Sequence, residues 1–145
     1  MTDQECFLAK IAEDEWDEVQ RNVYADWLME HDQPEESDRQ RQVVPSMRWI
    51  KAVLQKINYD DPDEHGERIP GKLGHPHDYD ELIEAGHAAV SGKGYCFGTT
   101  DAAEFFGYSS DSPKNRAEFF HHWSIVTGIP VGQDVVDKPD FRCAC

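Results

Sequence analysis

The chain has 145 residues, a formal net charge of −15 and an aromatic fraction of 11%. That length allows one domain, or a helical module with a second small layer, and the aromatic content argues against wholesale disorder. The carboxylate excess opposes contact with nucleic-acid phosphates and adsorption to anionic membranes, and leaves a solubilising coat or a binder of basic surfaces as its readings.

In chain order, Thr2 and Glu5 form a capping-box pair that opens a short helix. Phe7, Leu8, Ile11 and Ala12 fall on one face of it, and the acidic run Glu13 to Glu15 is expected to break or bend it. A second helix is expected from Trp16 to His31, with Trp16, Val19, Val23, Tyr24, Trp27 and Leu28 as its apolar stripe. Gln33-Pro34 closes it, because the residue before proline is pushed out of helical angles. Glu35 to Gln42 reads as a helix with a weak apolar face. Pro45 is expected to start a further helix, striped by Met47, Ile50, Val53, Leu54 and Ile57.

Residues 58–79 are rich in proline, glycine and charge and read as a long acidic loop. Asp80 to Ser91 suits a helix weakened by Gly86, and Gly94 to Thr99 suits a buried strand. Asp101 and Glu104 resemble a cap for a short helix, and Ser112-Pro113 starts one that carries Phe119, Phe120 and Trp123 and ends at Gly128. A short strand is expected near 134–137, followed by an exposed tail with Cys143 and Cys145. The fold class expected is mainly α, with a small β-sheet allowed in the second half (α+β). The expected division is 1–57, a 58–79 loop, and 80–145 packed on the first part.

The first region carries a likeness. Residues 5–42 resemble the small repeat-companion domain of planctomycete and other bacterial proteins, through Phe7, Leu8, Ile11, Arg21, Val23, Tyr24, Ala25, Asp26, Trp27, Leu28, Glu30, Pro34 and Arg41. The run "VYADWL" is the specific part. After Pro34 the chain departs from that pattern, with "EESDRQRQ" in place of an apolar helix. The resemblance implies a helical module of undefined biochemical role, found beside other modules, and brings no catalytic residues.

Of the motif residues, Arg21, Val23, Tyr24, Asp26, Trp27 and Leu28, the four apolar ones are expected in the core. Asp26 stands at the stripe's border; a general base there would need a cleft and a shifted pKa. The plainer expectation is that it pairs with Arg39 or Arg41, or caps a turn. The remaining constellations are weak. His75, His77, Cys143 and Cys145, with His65, His87, Cys96, His121 and His122, offer zinc donors but lack the usual C-x2-C spacing. Cys96 opposite His121 or His122 suggests a Cys–His pair, against which its apolar neighbours Tyr95 and Phe97 suggest a buried thiol. No G-x-S-x-G, P-loop or H-E-x-x-H is present. Phe119, Phe120 and Trp123 read as a core stripe rather than a ligand pocket.

Acidic residues crowd the middle of the chain: twelve against three basic groups over 58–111. Asp60, Asp61, Asp63, Glu64, Glu67, Asp78, Asp80, Glu81 and Glu84 form the expected acidic surface. The expected function is a small non-catalytic interaction or adaptor protein meeting a basic protein surface, in one version as a mimic of nucleic-acid charge. The alternative is a small enzyme or metal-binding protein using the Cys/His set. No cofactor, direct nucleic-acid contact or membrane partner is expected. With an acidic N-terminal stretch and no long apolar run, the expected location is the cytoplasm, its thiols reduced.

Overall fold

A computed structural model describes residues 2–59, 79–94 and 104–137. These residues are mainly helical and contain no strand. The helices are α1 (Asp3–Glu13), α2 (Glu18–Glu30), α3 (Pro34–Tyr59), α4 (Tyr79–Ser91), α5 (Ser112–Thr127) and α6 (Gln133–Asp137), with a π-helical segment at Glu104–Tyr108 before α5. The chain divides into two units, Met1–Arg48 and Trp49–Cys145.

In the first unit the capping box is present: Glu5 N donates to Thr2 Oγ1 at 3.2 Å and Thr2 N donates to Glu5 Oε2 at 3.0 Å. The acidic run does end α1. Asp14 leaves the helix, its Oδ1 accepts from Trp16 N, and Asp17 then caps α2 by accepting from Gln20 N at 3.1 Å. At the far end of α2, Gln33 N donates to Leu28 O and Asp32 N to Met29 O, the bond pair of a Schellman stop. Asp32 takes the left-handed position at φ 61°, where glycine is the usual occupant.

The two helices expected around Pro45 are one. α3 runs unbroken from Pro34 to Tyr59 with Pro45 inside it. A proline there removes the donor that Arg41 O would take and clashes with that carbonyl, at a cost of ~3 kcal/mol. Helix on both sides is anchored by burial of Val43, Val44, Met47 and Ile50. The weak apolar face of residues 35–42 also has a cause: polar side chains fill it, since Ser37 and Gln40 are buried.

The second unit gathers Ile50, Val53 and Leu54 of α3 with Leu82, Ala85 and Ala89 of α4, Phe106, and Phe119, Phe120 and Trp123 of α5. The expected boundary at residue 57 therefore moves to Arg48/Trp49, because the stripe after Arg48 finds its apolar partners on α4 and α5. Gly86 lies against the Trp123 indole: a Cβ there would sit 2.6 Å from Cδ1 and 2.7 Å from Cε2. The indole Nε1 donates to Ile83 O at 3.1 Å, one turn before the glycine. Arg116 donates to three carbonyls, Phe106 O at 2.9 Å, Val136 O at 3.1 Å and Asp137 O at 3.3 Å, tying the π-helical segment and α6 to α5.

Three further expectations shift. Asp111 rather than Ser112 stands at the N-cap of α5, with Pro113 still in the first turn; Gly128 closes the helix at φ 74° as expected. The strand expected near 134–137 is the helix α6. The strand expected at 94–99 and the cap at Asp101 lie outside the described residues, apart from Gly94.

Candidate functional site

The motif helix α2 divides its residues between two surfaces. Toward the core, Tyr24, Ala25 and Leu28 are buried with Ile11 of α1. Phe7 stacks on Tyr24 with centroids 5.4 Å apart, and Trp27 lies half-buried beside both. The Tyr24 hydroxyl accepts from Gln4 Nε2 at 3.1 Å, and the His31 ring stacks on Trp27 at 3.9 Å. Tyr24, Leu28 and Trp27 thus stand where the apolar stripe put them.

Val23 does not: it is 47% exposed, with Val19 at 73%, Trp16 at 38% and Leu8 at 46%. The buried arc of α2 is displaced from the expected stripe. It runs through Tyr24, Leu28, Arg21 and Ala25, and at about 100° per residue Val19 and Val23 stand nearly opposite Arg21. Its guanidinium is buried and donates from Nε to Glu15 O and from Nη1 to Gln40 Oε1, each at 2.9 Å. Gln40 Nε2 passes the chain on to Glu36 Oε1 at 3.0 Å, and Arg39 clasps the same carboxylate through Nε and Nη2. The bond from Arg39, joined by that of Gln40, holds the Glu36 carboxyl below its ordinary range, against the opposing effect of burial. Ser37 Oγ donates to Ala25 O at 2.7 Å. The polar side of α2 is thus an internal brace joining the α1–α2 bend, α2 and the first turns of α3.

Asp26 pairs with Arg41, as expected of one of its two candidate partners, while Arg39 goes to Glu36. The Asp26 side chain is 71% exposed. A carboxylate so placed has no cleft in which to work as a base.

Asp80 and Glu84 are exposed on α4 and Glu81 is half-buried. Asp60, Asp61, Asp63, Glu64, Glu67 and Asp78 lie outside the described residues, as do His65, His75, His77, Cys96, Cys143 and Cys145. Among the described residues no three His, Cys, Asp or Glu side chains converge as a metal site would need. Cys6 is an exposed free thiol. His87 meets the edge of Trp123 at 5.0 Å, and His122 stacks on Trp49 at 4.5 Å. Burial of the His122 ring, helped by neighbouring His121 and opposed by Glu118, lowers its pKa. Phe119, Phe120 and Trp123 are core, as expected. A surface hollow lined by Asp32 to Glu36 is open to solvent.

No family model, curated protein or solved structure matches this chain. Its chemistry must therefore be read from its own residues. Among the described residues that chemistry is a surface: an exposed apolar strip on α2, with carboxylates along it. Sequence periodicity missed the strip because it assigned those valines to the core, and it missed Gln40, Ser37 and Arg116 because polar residues that brace helices leave no apolar signal.

Proposed function

We propose that this chain is a non-catalytic interaction module that meets a basic protein surface. The observation that carries the reading is the concentration of exposed carboxylates beside exposed apolar groups on α1 and α2. Residues 2–30 hold nine carboxylates against Lys10 and Arg21, and Arg21 is buried. Among the described residues, the large apolar side chains Leu8, Trp16, Val19, Val23 and Met29 are exposed in the same stretch. Exposed apolar groups rimmed by charge are what interaction sites present, and like-charge crowding is relieved when a cationic partner arrives. Asp80 and Glu84 extend the acidic character to α4. Mimicry of nucleic-acid charge is the narrower form of the same proposal. The resemblance of residues 5–42 to the repeat-companion domain is a separate proposal about family, supported by the order helix, acidic bend, helix, turn and helix in α1 to α3. No described helix is long and apolar enough to cross a membrane.

The test is titration calorimetry with a short polylysine peptide at low and high salt. Binding that weakens steeply with salt is expected, because screening shortens to ~8 Å at physiological ionic strength and further above it. An absence of binding at low salt overturns the proposal.

A further inference from the structure

We draw no further inference here: the strongest candidate, the exposed Val19 and Val23 on the outer face of α2 beside the carboxylates of residues 13–30, is an unpartnered apolar patch next to an acidic cluster, and nothing in the structure shows what covers it.

Discussion

Gly86 shows how one residue can reverse a general rule. Alanine replacing glycine in a helix interior ordinarily stabilises by about 0.8–1.0 kcal/mol. Here the added methyl would enter the Trp123 indole, and overpacking of that kind costs about 1–3 kcal/mol. Gly86→Ala is expected to lower the urea midpoint in the wild type. In a Trp123→Leu background the same change should turn neutral or stabilising, and an unchanged sign there would show that the indole is not the obstacle. Asp32 is the opposite case. It holds the left-handed stop of α2, a conformation that costs a non-glycine residue roughly 1–2 kcal/mol. Asp32→Gly removes that strain but adds freedom to the unfolded chain, so the net gain expected is up to about 1 kcal/mol in a thermal melt. Neither position carries its meaning in the sequence. Gly86 read as a weak point in a helix because the residue that requires it is 37 positions away.

At the level of elements, the caps were legible and the interfaces were not. Thr2 with Glu5, the Glu13–Glu15 break and Gly128 are local signals, and each sits where local physical chemistry puts it. The union of two expected helices into α3 was hidden, because Pro45 is a start signal in isolation and is overridden by the burial of Val43, Val44 and Met47 on either side. The position of the buried arc on α2 was hidden as well, since periodicity cannot tell a valine against α1 from one facing water. Of the six motif residues four stand as expected, Tyr24, Trp27 and Leu28 inward and Asp26 on Arg41, while Val23 turns outward and Arg21, for which periodicity assigned no partner, turns inward. The polar contact of α2 with α3 gives this scale its prediction. Ser37→Ala removes the bond to Ala25 O from a buried site. It should cost about 1 kcal/mol in equilibrium denaturation, within the usual range for such a bond. A change indistinguishable from zero would mean that the interface is held by Leu28 and its apolar neighbours alone.

For the whole molecule, charge and protonation act in opposite directions as pH falls. At neutral pH the net charge of −15 works against compactness, and protonating histidines reduces it. That general effect should stabilise the fold between about pH 7 and 6. Two groups oppose it. His122 has a folded pKa below its ordinary value of about 6.5, because its half-buried ring, stacked on Trp49, loses hydration and lies beside His121. The folded state therefore binds that proton less readily than the unfolded state. The resulting stability is complete above the unfolded pKa and is lost as pH falls below it, through the lower folded value. Glu36 behaves likewise in a more acidic window. Arg39 and Gln40 hold its carboxylate below the ordinary glutamate pKa of about 4.3, so its contribution is full above that value and fades beneath it. Because the global and local effects overlap, the informative quantity is a difference between variants. The gap in stability between wild type and His122→Phe, measured by urea denaturation, should be flat above about pH 7 and change in favour of the variant as the pH drops below about 6.5. Phenylalanine keeps a ring against Trp49 and has no proton to take up, so packing stays in place while linkage disappears. A pH-independent gap would show that the His122 ring titrates alike in the folded and unfolded chains, and would leave the acid response to the carboxylates.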